Sequence, residues 1–426
     1  MNGDRFPAVM AAAAHGRILA DNAACAQLPD KALERVQRYL AYDNAQQGPV
    51  FARARATTDL VEEAKREFAA LVAAPPDQVG LGLNATSLAF AFSRLVASGI
   101  ARGNRIVVTA ADHDSNIVPW LWLRRFGAQV DVVPVDAKGD IDEAKFADFL
   151  QREPMVVALP WASNATGTVF DVARLATLAK RARATVVVDG VQALPHFALD
   201  IDASIDFAFF SGYKAYAPHL GFWYASEHAL RRFVYAGDAL VPGSDARYWT
   251  LETGTQSYEA LAGWLGTAAY LRDVAATPRL ALEVVARHEL ELASYARTKF
   301  HERDAHVRLY GRPAESARLP IFAFNVRGIT SDELAARFEF ANIEARVGNF
   351  NAPRLMQALA PDTGGRAVRL SFAHYNTRSD IDRCFDVIDA ALDAPSDVAL
   401  EPEFEGDARS NHVAEAYDGE RRTSAR

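Results

Sequence analysis

A lysine placed where it can shed its proton, and an acid held at the end of a buried strand, carry the readable chemistry of this chain. Phe207-Ala208-Phe209-Phe210 is an unbroken apolar run that delivers Ser211-Gly212-Tyr213-Lys214. An ammonium directly behind a buried strand is desolvated, so its pKa falls and the free amine can form an imine with an aldehyde. Val186-Val187-Val188, a β-branched run suited to a buried parallel strand, stops at Asp189. An acid at that end of a strand faces the crevice in which α/β sheets hold ligands. Together Lys214 and Asp189 suggest pyridoxal 5′-phosphate (PLP). The lysine would hold the aldehyde, and the aspartate would keep the pyridine nitrogen protonated so that the ring accepts electrons. Spacing alone also allows an acid that caps a loop and a lysine at a domain edge.

Other stretches could complete such a site. Gly82-Leu83-Asn84-Ala85-Thr86-Ser87 precedes the apolar helical stretch Leu88 to Val96. A small, hydroxyl-rich turn opening a helix offers free N–H groups to an anion, or is an ordinary cap. His113, in Asp112-His113-Asp114-Ser115-Asn116, could lay its ring over a pyridine or be a polar loop residue. Asn164, in Ser163-Asn164-Ala165-Thr166-Gly167-Thr168, could donate to a phenolic oxygen or form a local turn. Arg346 and Arg369 carry guanidinium forks suited to a carboxylate, or to a structural ion pair.

At VDGVQ, SGYK and these flanking motifs, the chain resembles the class V aminotransferase family of fold-type I PLP enzymes, closest to its cysteine desulfurase-like branch. The resemblance runs from about Asp21 to about Leu392. It implies a large domain with a mostly parallel seven-stranded sheet and a smaller C-terminal α/β domain. It also implies that Lys214 binds the cofactor and works as acid and base, that Asp189 supports the ring, and that His113 stacks on it. Asn164 and Gln192 would approach the ring oxygen. The backbone of Ala85, with Thr86, Ser211 and Tyr213, would hold the phosphate, joined by Thr255 from the second subunit of a homodimer. Arg369 would be the main substrate clamp and Arg346 a secondary one. Ala24, in the entrance Asp21-Asn22-Ala23-Ala24, and Asn351 would face the substrate.

Two departures stand out. Tyr213 replaces the family's histidine and brings little positive charge. The loop Glu344 to Pro353 resembles the desulfurase loop ending in HHCA, but reads Asn349-Phe350-Asn351-Ala352. A carboxamide is no thiolate and carries no transferable sulfur. On that ground the expectation is an amino-acid or amine enzyme, first an aminotransferase. A C–S or β-lyase, an epimerase or a catalytically silent PLP-binding regulator are the alternatives, and ordinary cysteine desulfurase chemistry is set aside. Cys25 is expected to be a small buried filler.

The whole chain fits such an enzyme. Its 426 residues, 50% of them hydrophobic, suffice for one large core and a smaller domain. A formal charge of −8 without a long basic run gives no nucleic-acid footprint. Two cysteines make no disulfide framework, and no metal cluster is expected. The run Ala11 to Ala14 is too short for a membrane span, so the expected location is the cytoplasm. The expected organisation is an N-terminal arm (1–17), a PLP-binding domain (18–275), a small domain (276–394) to which the arm contributes, and a flexible tail (395–426). Helices are expected at Lys31 to Tyr42, Thr58 to Val72, Glu259 to Val274 and Arg279 to Glu302, and a strand at Ile343 to Val347.

Overall fold

Seven short strands line up because the central ones are apolar and buried on both faces, while the edge strand Gln129–Val133 keeps Gln129 exposed. The computed structural model describes residues 3–234, 246–312 and 318–393; the tail expected at 395–426 lies outside them. In chain order the strands are β1 (Val79–Gly82), β2 (Arg105–Thr109), β3 (Gln129–Val133), β4 (Val156–Pro160), β5 (Thr185–Asp189), β6 (Phe207–Ser211) and β7 (Gly221–Ala225). They pair in the order β1-β7-β6-β5-β4-β2-β3, with only β7 running against the rest. The period of two divides β5 and β6 cleanly. Val186, Val188 and Phe210 join the apolar layer that contains Phe68, Phe222 and Trp264. Val187, Phe207 and Phe209 join the opposite layer, with Phe92 and Trp223.

The register brings the chemistry to one edge. Pro160 lies beside Asp189, and Asp189 beside Phe209, so the loops after β4, β5 and β6 leave the sheet together. The reversed strand β7 starts there, with Gly221 opposite both Ser211 and Gly82. A side chain at Gly221 would meet the backbone nitrogen of Asn84 at 2.9 Å. Glycine thus lets the start of helix Ala85–Ala97 sit against the end of β6.

A second, antiparallel sheet follows: β8 (Val307–Leu309), β9 (Ile321–Val326), β10 (Arg346–Gly348) and β11 (Ala367–Ser371), in the order β10-β11-β9-β8. Its core of Phe322, Phe324, Phe338 and Phe385 also takes in Ile18 from the N-terminal segment. The single strand expected over Ile343 to Val347 is in fact two. Ile343–Glu344 pairs in parallel with Ile18–Leu19, while Arg346–Gly348 joins β11. Ala345 is where the chain changes partner, which alternation of residue types cannot reveal.

Helix ends also differ from expectation. The second helix spans Ala52–Leu71, starting six residues early, and Arg55 ties its first turn back to the carbonyls of Pro49 and Val50. The first is α-helical over Asp30–Arg38 and widens into a π-turn over Tyr39–Asp43. Tyr39 is buried there, its hydroxyl on Ala45 O and Thr57.

Helix Tyr258–Val274 braces the segment behind the lysine. Thr267 Oγ1 donates to Tyr216 O at 2.6 Å, and Tyr216 holds the strained left-handed φ of 60° just beyond Lys214. The helix lies close to Asp30–Arg38 because Gly266 has no side chain. A Cβ there would meet Lys31 O at 2.3 Å and Ala32 Cα at 2.5 Å. Gly266→Ala is therefore expected to cost about 1–3 kcal/mol, read by urea unfolding, and to weaken cofactor retention by loosening the turn at Tyr216.

Candidate active site

Lys214 ends a short 3₁₀ turn, Gly212–Lys214, that continues β6. The turn is held on both sides: Gly212 N donates to Leu220 O, and Ala26 N donates to Tyr213 O. The lysine is 9% exposed. Burial, and then the Arg369 charge, bring its pKa down to about 8, with Asp189, Asp21 and Cys25 opposing. Among the described residues no carboxylate stands within ion-pair distance of it. The amine is therefore a usable base and nucleophile near neutral pH.

A polar cavity opens over it. Asp189, Asn164, Gln192 and His113 line this cavity, as do Ala85, Thr86, Ser211 and Tyr213. Nine of the residues singled out in the sequence thus meet around one space, Lys214 included. At one end the N-terminus of the 13-residue helix Ala85–Ala97 presents its first amides, and Ala85 N lies 3.3 Å from Ser211 Oγ. Asn84 Oδ1 caps Ser87 N, and Ala85 N donates to Ser211 Oγ, an acceptor that a phosphate could replace. Tyr213 stacks on His219, with centroids 4.8 Å apart. Burial raises its phenol pKa, so it is a neutral donor here.

At the other end Asp189 accepts from Val191 N at 2.9 Å and Ser115 Oγ at 3.4 Å. Burial pushes this carboxyl up to about 6, against the pull of Val191 N–H, Lys214 and Ser115. Asp112 lies buried nearby, held by Asn116 Nδ2 at 2.7 Å, and burial plus the Asp189 charge raise it well above the carboxylate range. His113 Nδ1 accepts from Ser115 N at 3.0 Å. A backbone N–H can only donate, so the neutral ring carries its proton on Nε2. Burial and the charges of Lys214 and Arg369 drive the His113 pKa down to about 3, which keeps the ring neutral.

Five other expected residues stand apart from the cavity wall. Arg369 is 2% exposed, donates from Nη1 to Asn164 O at 2.9 Å, and lies over the Phe350 ring at 5.0 Å. Arg346 is half exposed beside it. Asn351 is exposed with a left-handed φ of 53°, and its carbonyl accepts from Asp114 N at 2.8 Å. Ala24, partly buried, closes the turn after Asp21. Thr255 is exposed and does not line this chain's own cavity. Cys25 is not the buried filler expected: it is exposed, with Sγ 3.9 Å from Tyr213 O. The turn after Asp21 faces it outward, which its small apolar neighbours in sequence do not betray. Three functional neighbours went unremarked in the sequence. Ser115 and Asp112 flank His113 in its motif and were within reach; Asp21 gained a role only from strands far away in sequence.

The residues present fit PLP. The Asn164 and Gln192 amides each donate one N–H, to Phe350 O and Ala23 O, and each keeps a second N–H that a ring oxygen could accept; among the described residues their buried oxygens have no partner. Among the described residues no cation is bonded to the buried Asp189 carboxylate, and a protonated ring nitrogen would neutralise it. A helix N-terminus with Ser211 suits a phosphate.

The aminotransferase class-V model matches residues 18–384. The chain belongs to the class-V aminotransferase family. It is a PLP-dependent enzyme of fold type I. A relative named "Probable cysteine desulfurase", from Mycolicibacterium paratuberculosis, is 30% identical over 374 residues, 85% of this chain but 53% of that one. Cysteine desulfurase CsdA of Escherichia coli is 30% identical over 411 residues, covering 91% of this chain and 96% of its own. A crystal structure of CsdA superposes with a TM-score of 0.78 at 27% identity over 92% of this chain and 97% of that one. The chain thus spans about half the length of the mycobacterial relative and nearly all of CsdA.

This class-V kinship corrects the expectation of an aminotransferase outside desulfurase chemistry. Relatives named cysteine desulfurase recur across bacteria and an archaeon, and the solved desulfurase folds alike. One altered loop does not outweigh a likeness that runs the length of the chain. Among the described residues no helix is long and apolar enough to cross a membrane.

The Asp189 carboxyl carries a testable cost. Its folded pKa of about 6 lies above the ordinary 3.8, so folded protein binds the proton more tightly. Stability of the cofactor-free protein therefore falls as pH rises from about 4 to 6, and the burial penalty is present in full above about 6. Asp189→Asn is expected to raise the melting temperature of the cofactor-free protein at pH 7.5. The gain should shrink as pH drops toward 4, in paired melts of variant and parent.

Proposed function

We propose that the chain is a cysteine desulfurase-type enzyme that takes sulfur from L-cysteine or a close analogue, with residue 351 excluded as the acceptor. What carries this reading is the near end-to-end likeness to CsdA, joined to a buried, easily deprotonated Lys214 in a cavity fitted to PLP. Bound PLP supplies the electron sink. The protein's own residues do the rest.

Lys214 Nζ takes and returns the substrate's α-proton. Asp189 would keep positive charge on the ring nitrogen of bound PLP, and neutral His113 would cover the ring face with its Nε2 proton to offer. Ser211, Thr86, Tyr213 and the amide of Ala85 anchor the phosphate, with Thr255 from a second subunit of a homodimer. Asn164 and Gln192 flank the ring oxygen. Arg369 clamps the substrate carboxylate with Arg346 at its rim, and Ala24 with Asn351 borders the entrance. The site lies between a large domain over 18–275 and a small one over 276–394.

The net reaction is L-cysteine plus a thiol giving alanine plus a persulfide. The acceptor thiolate attacks the substrate sulfur, an S–S bond forms, and the C–S electron pair returns to carbon, which gains a proton. Asn351, a carboxamide, is not that thiolate. The acceptor is a small thiol or a thiol of another protein.

The test is PLP-loaded protein incubated with L-cysteine and dithiothreitol. Alanine and sulfide should appear in equal amounts, and Lys214→Ala should lower the rate at least about a hundredfold while Asn351→Ala still turns over. Alanine without sulfide, or no reaction of any kind with cysteine, would defeat the proposal.

A further inference from the structure

The two clamp arginines already hold a carboxylate of the chain itself. Arg346 and Arg369 are direct cross-strand partners in β10 and β11, an arrangement that repels unless an anion lies between them. Asp21 provides it. The backbone of Asp21 bridges in parallel to Ser371 at the end of β11, which sets its side chain beside both guanidinium groups. Oδ1 accepts from Arg369 Nη2 at 2.8 Å, and Oδ2 accepts from Arg346 Nε at 2.8 Å and from its Nη2.

The two arginines are not equivalent. Arg369 has 3% of its side chain exposed and Arg346 has 52%, with Asp21 between them at 16%. Arg369 is fixed by Asn164 O and the Phe350 ring, yet its buried Nε has no partner. It is an aligned fork with a donor to spare, and one of its nitrogens is engaged by a rival carboxylate. Arg346 can swing at the surface while still gripping Asp21 through two nitrogens.

We propose that Asp21 is a resident carboxylate that sets how tightly, and for which anions, the arginine pair binds substrate. In the empty site it offsets one of two positive charges and keeps Arg369 in place. When a substrate carboxylate takes the Arg369 fork, Asp21 stays with Arg346. Two guanidinium charges less one carboxylate leave a net single positive charge. Such a site suits one α-carboxylate and penalises a second, favouring a monocarboxylic amino acid over a dicarboxylic one. Asp21 is thus a specificity-determining residue of the proposed reaction, and the inference rests on Arg369 as the substrate clamp.

Asp21→Asn keeps an oxygen that can accept from Arg369 but removes the charge. In PLP-loaded protein, acetate and succinate are titrated against the absorbance of the bound cofactor and as competitors of L-cysteine. Asp21→Asn should bind acetate about tenfold more tightly than the parent, with a larger gain for succinate. Arg346→Gln, which leaves Asp21 no alternative partner, should instead weaken acetate binding, and it serves if Asp21→Asn fails to fold. If Asp21→Asn leaves acetate affinity unchanged or weaker while Arg369→Ala abolishes it, Asp21 is only a fastening and the clamp stands. If Arg369→Ala binds acetate as the parent does, the clamp assignment fails and this inference fails with it.

Discussion

The site depends on keeping two opposite charges out of water at one edge of a sheet. Asp189 ends β5 and Lys214 ends the turn that continues the adjacent parallel strand β6, and burial acts on both in the direction that makes them less charged. Neither is neutralised by a direct ion pair with the other. That is a costly arrangement in an empty protein, and it becomes favourable when a ligand brings an aldehyde to one end and a protonatable nitrogen to the other. The surrounding fold can be read as the support for this unspent polarity. Thr267 braces the turn behind the lysine, Gly221 admits the start of helix Ala85–Ala97, and Ser115 settles the tautomer of His113.

The small sheet adds the second half of the cleft. By pairing β10 with β11 it sets Arg346 across from Arg369, and by binding Ile18–Leu19 it draws the N-terminal segment into the site. The altered loop after β10 is not slack. Its Phe350 lies against Arg369 and accepts from Asn164, and Asp114 pairs with Arg354 at 2.8 Å just past Asn351. The loop therefore holds Arg369 in place even though it offers no thiol. Reading its chemistry from residue 351 alone turned the expected reaction away from the desulfurases, against a likeness spread over nearly the whole of CsdA.

Much of the centre was legible without coordinates. Runs such as Val186 to Val188 and Phe207 to Phe210 suit buried strands, and a charged residue within a few positions of each run's end is placed to face the crevice there. That local logic located Lys214 and Asp189 and suggested PLP. Recurring short motifs then marked Ala85, Thr86, His113, Asn164, Gln192, Ser211 and Tyr213, all of which line the same cavity.

What tertiary structure alone decided are the partnerships between distant segments. Asp21 and Arg369 meet across 348 residues, and nothing in the local pattern of either states that they will. The same holds for the change of partner at Ala345 and for the outward-facing Cys25. Periodicity reports which face of an element is apolar. Which carboxylate answers a given arginine is settled only when packed strands bring the two within hydrogen-bond reach.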